Sequence, residues 1–452
     1  MVSRSEPCSA PRRSTATCVG DGFTSVVGAW QPARMGQQDA TTLRDDHALE
    51  FDPFRSPDRE DPHPTLHRAR RERPVFYSRA LQTWVVTRRD DVLAILRDPG
   101  RFSSANAITN VPAPPPQEVL EVLVTGVPYE PNSVDLDPPR HGAFRALINR
   151  AFAPRRIAAV EPQARALAQR LVDSFAADGQ TDLVDRLAHP LPTLVIGDLL
   201  GVPHADMPAF TRWSGEWLIL LGQLGDLDRM VAAAREVVDF QHYVAGMIAD
   251  RRANPGGDDL VADIVASTAD VADPPSDNAL VGLVMTVLFA GHETTTSLIT
   301  NTVKLLLQHP DQLAEVRADR GLLPAAVTET LRFDPPVPGM YRTTTAEARV
   351  GDVTLPAGEH LQLSFAAANR DPGHFAEPDR FDLHRPDKGS HLSFGYGIHA
   401  CVGAALGQLE TRVAIDVLLD RLPRLRLAGD QDIVPTVSAT VRGTESLHLT
   451  WN

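Results

Sequence analysis

Cysteine is almost missing from this 452-residue sequence, which has only Cys8, Cys18 and Cys401. Three cysteines cannot build a disulfide framework, and no Cys-x-x-Cys pair is present to hold zinc. A reducing compartment is therefore expected. Positive charge is the minority sign: 44 basic against 58 acidic residues give a net charge of −14, which excludes a nucleic-acid-binding body. Lysine is scarcer still, with Lys304 and Lys388 alone, so almost every cation is an arginine; this reads as coding bias and not as a functional signal. No run reaches the ~18 consecutive apolar residues of a membrane span. The longest, Leu280–Ala290 and Trp217–Leu221, are far shorter, and the first is interrupted by Gly282 and Thr286. No apolar signal core opens the chain. The expectation is a soluble cytoplasmic protein with no membrane and no nucleic-acid partner. Aromatic residues are few at 6%, yet 43% apolar residues suffice for a large core.

Residues 1–40 mix Ser, Thr, Pro, Gly and Arg without apolar periodicity, as a disordered extension does. Pro7, Pro11, Gly20 and Gly22 spoil the amphipathic helix of a transit peptide, and Met35 is a plausible alternative start. From 41 to 452 neither repeat nor linker divides the chain, which predicts one large domain. Val75–Ser78 and Thr83–Thr87 read as a strand pair followed by a helix at Asp90–Arg97. Six prolines within 105–135 predict a long irregular loop with at most a turn of helix at Glu118–Val124. Helices are expected at Arg140–Phe152, Ile157–Ala177, Leu227–Arg252, Asn278–Leu307 and Leu322–Phe333. Strands at Arg349–Leu355 and Leu361–Phe365 flank the turn Pro356-Ala357-Gly358, and a last helix runs from about Cys401 to Leu422. The fold class is mainly α with small β-sheets.

The stretch Phe394-Gly395-Tyr396-Gly397-Ile398-His399-Ala400-Cys401-Val402-Gly403 carries the most information. Two glycines permit a tight turn, and Cys401 falls where a helix is about to begin, so unpaired amides and the positive helix end favour a thiolate there. Gly403 and Gly407 would leave one helix face bare for a flat cofactor. Taken alone, Cys401 fits equally a small buried hydrophobe or a nucleophile paired with His399.

The whole segment from Phe394 to Gly407 resembles the haem-binding signature of the cytochromes P450, with each fixed position satisfied. The resemblance runs from about residue 45 to the C-terminus. It implies the P450 fold around one haem b, with Cys401 as the axial iron ligand and Phe394, Gly395, His399 and Gly403 shaping its loop. The thiolate favours O–O cleavage. It implies further that Ala290-Gly291-His292-Glu293-Thr294-Thr295 is the distal helix. A mid-helix threonine that bonds back one turn loosens the helix and opens a groove beside Ala290 and Gly291. Glu293 and Thr294 would deliver protons to dioxygen, and His292 would serve packing or water contacts. Glu329 and Arg332, joined by Arg380, match a structural Glu-x-x-Arg brace. His141 and Arg145 at i,i+4, Arg342 and His399 match the binders of the haem propionates.

The resulting expectation is a monooxygenase that inserts one atom of O2 into a small lipophilic substrate. No flavin or nucleotide domain is seen, so electrons would come from a separate ferredoxin and ferredoxin reductase, docking on exposed arginines near Cys401. The competing readings are a haem protein without monooxygenase activity, a peroxide-driven peroxygenase and a cysteine hydrolase; Glu293 and Thr294 argue against the first two. Substrate contacts are expected from Trp217, Val287, Leu298, Val337, Met340 and Thr440, within the walls 106–132, 210–224, 287–298, 337–340 and 439–440. The segments 106–132 and 210–224 would form a mobile entrance.

Overall fold

The computed structural model describes residues 37–105, 107–108, 114–222, 225–271, 273–429, 431–436 and 440–451. The expectations for residues 1–36, and for parts of the segments 106–132, 210–224 and 439–440, lie outside the described residues. The helices are α1 (Gln37–Asp46), α2 (His63–Glu72), α3 (Arg89–Leu96), α4 (Gln117–Leu123), α5 (Arg140–Ala151), α6 (Pro154–Asp173), α7 (Pro190–Leu200) and α8 (Met207–Gly222). They continue as α9 (Leu227–Ala253), α10 (Leu260–Ser267), α11 (Asp277–Gln308), α12 (Pro310–Ala318), α13 (Leu323–Phe333), α14 (Phe365–Ala368) and α15 (Ala404–Arg421). Helix α1 starts at Gln37, so the segment expected to lack structure ends before 40.

The described residues also form ten short strands: β1 (Val75–Ser78), β2 (Thr83–Val86), β3 (Phe102–Ser103), β4 (Gln180–Asp182), β5 (Gly339–Thr344), β6 (Ala348–Val350), β7 (Val353–Leu355), β8 (His360–Ser364), β9 (Arg426–Leu427) and β10 (His448–Thr450). The main sheet has the order β1-β2-β8-β5-β3, in which β2 and β8 run parallel and the other pairs antiparallel. A second sheet, β4-β10-β9, ties the middle of the chain to its end.

Helix α11 is the axis of the molecule. Ser276 caps it by accepting from the Ala279 amide, and Pro310 lies just beyond its end. Its length and apolarity would suffice for a bilayer, but 72% of its most apolar stretch is buried inside the protein. It is a core helix, packed against α7, α9, α13 and α15. Its leucines and valines join those of α5–α10 and α15 in one continuous core, and a second core fills the sheet side around Trp84, Phe102 and Leu361. The cysteine loop lies between α3 and α15, where these two halves meet.

Candidate functional site

The cysteine loop is built on reversed backbone. Gly395 and Gly397 take φ of 67° and 74°, and a β-carbon on Gly397 would stand 3.0 Å from the Leu96 carbonyl oxygen at the end of α3. The Cys401 amide donates to the Phe394 carbonyl at 2.8 Å and closes the turn. Helix α15 begins only at Ala404, so Cys401 precedes it by three residues. Sγ is reachable by solvent, but the protein around it is dense, and burial pushes the thiol up. The amides of Gly403 and Ala404 and the Arg145 guanidinium act against that shift without overcoming it. The helix terminus alone therefore does not hold a thiolate; a bound metal cation would complete the deprotonation. Gly407 does not face a cofactor as expected. A β-carbon there would meet Thr295 Oγ1 at 3.3 Å, so this glycine lets α15 approach α11.

Four groups gather above the loop. The rings of His141 and His399 stand 4.3 Å apart, and Nε2 of each is buried without a hydrogen-bond partner. Burial, followed by the positive fields of Arg342, His141 and Arg145, pushes His399 down to about 3. Burial likewise brings Arg342 down to about 10, against the pull of Asp137. Asp137 itself is tied to the Ser104 amide at 2.8 Å and to the Ser103 hydroxyl. The buried Arg342, the half-buried Arg145 and two orphaned imidazole nitrogens meet with one carboxylate among them. Such a set fits the two propionates of a haem.

On α11, Thr294 donates to the Ala290 carbonyl at 2.8 Å and Thr295 to that of Gly291 at 2.9 Å. Two consecutive back-bonds loosen this turn. Ala290 is exposed although the residues before it, Leu283–Phe289, are all buried, which marks an open face beside Thr294. Gly291 serves otherwise than expected: a β-carbon there would press on Ile196 of α7 at 3.0 Å, so it permits helix packing. Burial pushes the Glu293 carboxyl up, but the hydrogen bond and charge of His292, with His189 behind it, outweigh burial and hold it below its ordinary range.

Of the expected brace, Arg332 pairs with Glu329 at 2.7 Å with both side chains fully buried. The third partner is Arg385, 3.3 Å from Glu329, and not Arg380. Arg380 points to solvent beside Glu377 at 3.5 Å, and only its carbonyl joins the brace, accepting from Arg332 and Arg385. The sequence held the signal: Phe381, Leu383 and Arg385 alternate inward.

Residues 223–440 match the cytochrome P450 family profile. Cytochrome P450 107B1 of Saccharopolyspora erythraea is 38% identical over 83% of this chain and 92% of its own length. The chain belongs to the cytochrome P450 family. PikC, a P450 monooxygenase of Streptomyces venezuelae, is 35% identical over 86% of this chain and 91% of its own. The P450 haem domain of Tepidiphilus thermophilus superposes with a TM-score of 0.85 at 33% identity, covering 90% of this chain and 98% of that one. This P450 is thus a monooxygenase that uses haem b, with dioxygen as co-substrate.

Of the expected substrate contacts in this P450, Trp217 meets Phe289 ring to ring at 5.5 Å and Val287 lies in the core beside it. Met340 and Val337 are half-buried at and just before the start of β5, and Thr440 is half-buried near the C-terminus. Leu298 is displaced from the expected set: it packs with Val327, Leu331 and Phe394, behind the cysteine loop.

Proposed function

We propose that this P450 hydroxylates or epoxidises a small lipophilic molecule of secondary metabolism, and that Cys401 would hold the haem iron as its thiolate ligand. The observation that carries the reading is the cysteine loop beneath a cluster of cations and orphaned imidazoles, with α15 packed against α11 one residue from Thr294. Haem supplies dioxygen activation and oxygen insertion when bound. Around it, His141, Arg145, Arg342 and His399 hold the propionates. The Gly403 and Ala404 amides donate to Cys401 Sγ and fix its orientation. Thr294 keeps its hydroxyl at the open turn beside Ala290, and the ionised Glu293, paired with His292, relays the proton that the hydroxyl passes on. Trp217, Val287, Val337, Met340 and Thr440 exclude water from that face and orient the substrate.

The relatives support the substrate class. They include a 6-deoxyerythronolide B hydroxylase of Saccharopolyspora erythraea, 40% identical over 312 residues, and a cyclomarin C epoxidase of Salinispora arenicola, 38% identical over 371. Electrons come from a ferredoxin and its reductase in the cytoplasm. Arg97, exposed and stacked 5.0 Å over the exposed Tyr396 of the cysteine loop, suits an acidic donor.

The reduced carbon-monoxide complex of the purified protein tests the reading. It should show the red-shifted band of thiolate ligation, and Cys401→Ala should abolish it; a histidine-type spectrum ends the proposal. Thr294→Ala should keep that band but divert electrons from product to peroxide or water. Equal product yield in the variant would remove Thr294 from the proton path.

A further inference from the structure

On the distal side, Glu293 of the proton path also belongs to a cluster whose two histidines have no role in that path. His292 and Glu293 sit on α11, and His189 comes from the residue before α7; one ligand atom of each lies within 4.8 Å of the other two. His292 Nδ1 is 3.2 Å from the Leu288 carbonyl oxygen, which can only accept, so Nδ1 carries hydrogen. Its Nε2 is 3.1 Å from Glu293 Oε1 and 3.2 Å from Ser214 Oγ. A bare imidazole nitrogen and a bare carboxylate oxygen would repel at that distance. One proton must lie between them, on either atom. Metal-binding histidines use this same arrangement, in which the far N–H is pinned to a carbonyl and the near nitrogen faces the ion.

The surroundings favour a cation. From neighbouring segments His189 acts on Glu293, Asp185 acts in turn on His189, and α8 contributes the neutral Ser214. Burial first, then the field of His292, keeps His189 below its ordinary range, hence in the neutral form a metal needs. No arginine or lysine is among the groups acting on His189 or Glu293. Phe289 stands edge-on to His292 with centroids 6.4 Å apart and closes one side.

We propose that His189, His292 and Glu293 form a three-ligand site for one zinc-class divalent ion, taken up in exchange for the proton shared by His292 and Glu293. Two imidazole nitrogens and one carboxylate oxygen, with water in the fourth position, is a zinc donor set. Tetrahedral ligand atoms at bond lengths of about 2.0–2.2 Å stand roughly 3.3 Å apart. The His292–Glu293 pair already meets this at 3.1 Å, and the His189 ligand atom, within 4.8 Å of both, would move inward on binding. No redox change is involved: the ion enters, the proton leaves to solvent, and all three ligands end unprotonated. While the pair still holds its proton, affinity rises about tenfold per pH unit.

The test uses the full-length ferric, haem-loaded protein, freed of metal by chelator and titrated calorimetrically with zinc chloride in two buffers of different ionisation enthalpy. One ion per chain should bind with release of one proton, and X-ray absorption at the zinc edge should show two imidazoles in the first shell. His189→Ala and the space-keeping His189→Gln should each weaken binding at least tenfold, with the carbon-monoxide spectrum reporting that the fold is intact. No binding, binding unaffected by both His189 variants, or binding without proton release each overturns the site. The consequence for turnover rests on the proposed role of Glu293, since zinc would occupy the carboxylate that relays the proton. If zinc binds as described and yet product yield per electron is unchanged, the ion site stands and the proton role of Glu293 falls.

Discussion

At the scale of single residues, charge in the interior decides most. Glu329 is fully buried and is held by Arg332 at 2.7 Å and Arg385 at 3.3 Å. Arg385 also donates to the carbonyls of Ala376, Glu377 and Arg380, so removing it leaves these acceptors unmet and strips one of two guanidinium contacts from Glu329, at a cost of about 3–5 kcal/mol. Arg385→Ala should lower stability by about that much in urea unfolding, whereas Arg380→Ala, on the surface, should change it by less than about 0.5 kcal/mol. Equal effects would restore Arg380 to the brace. Glu410 is the opposite case: it is fully buried on α15, both carboxyl oxygens lack a partner, and burial raises its pKa well above the ordinary range. A carboxyl raised on folding favours the folded state fully only below its unfolded pKa of about 4.3. Above that, stability is lost by up to about 1.4 kcal/mol per pH unit until the folded pKa is passed. Glutamine cannot ionise, so the stability advantage of Glu410→Gln over the natural protein should grow from pH 5 to pH 8. A constant difference across that range would place a hidden partner on the carboxyl.

At the scale of elements, the site depends on how β5 is seated, because this strand carries Arg342. Its first residue, Gly339, faces the Leu363 carbonyl of β8, and a β-carbon there would stand 2.7 Å from that oxygen. Overpacking against backbone costs about 1–3 kcal/mol. Gly339→Ala should therefore destabilise the protein and, by shifting Arg342, speed transfer of haem to apomyoglobin; unchanged transfer would uncouple the strand from the propionate cluster. Strand β5 was illegible in the sequence. It follows Pro335, Pro336 and Pro338 and opens on glycine, and it is a strand only because β8 and β3 lie ready on either side. By contrast β1 matches its expected bounds, and α11 falls within one residue of them at each end, since each carries its own periodicity or cap. Helices α7 and α12 fall in the stretch up to about residue 333 where helices are expected to dominate, but not among the individual helices expected, and α6 begins three residues before its expected start; each opens on a proline that fits the first helical turn but reads as a loop. The cysteine loop, Glu293 and Thr294 were readable as a local pattern. Arg385, His189 and Glu410 were not, because their partners lie far away in the chain.

At the scale of the whole molecule, one buried knot joins three distant stretches around the end of α13. Asp334 accepts from Lys304 of α11 at 2.9 Å and from Arg442 near the C-terminus at 3.3 Å. Arg442 reaches on to the carbonyls of Arg59 and Glu60, and its own amide donates to the Pro336 carbonyl at 2.6 Å. The knot thus binds the turns just before α2, the central helix and the segment near the C-terminus into one body. Burial would push the Asp334 carboxyl up, but Lys304, Arg442 and Arg370 prevail and hold it well below the ordinary range. A depressed folded pKa means that the stabilisation is fully present above the unfolded value of about 3.9 and is lost as pH falls below it. Asp334→Asn keeps the shape but leaves Lys304 and Arg442 without their counter-charge, a loss of about 3 kcal/mol. Between pH 8 and pH 5 that deficit, read from urea midpoints and slopes, should stay constant. Below about pH 4 it should shrink, because the natural aspartate then begins to lose the advantage that the asparagine never had. A deficit that shrinks already between pH 8 and pH 5 would mean that some other titrating group supplies the stabilisation, and that the knot's charge is not what joins the three stretches.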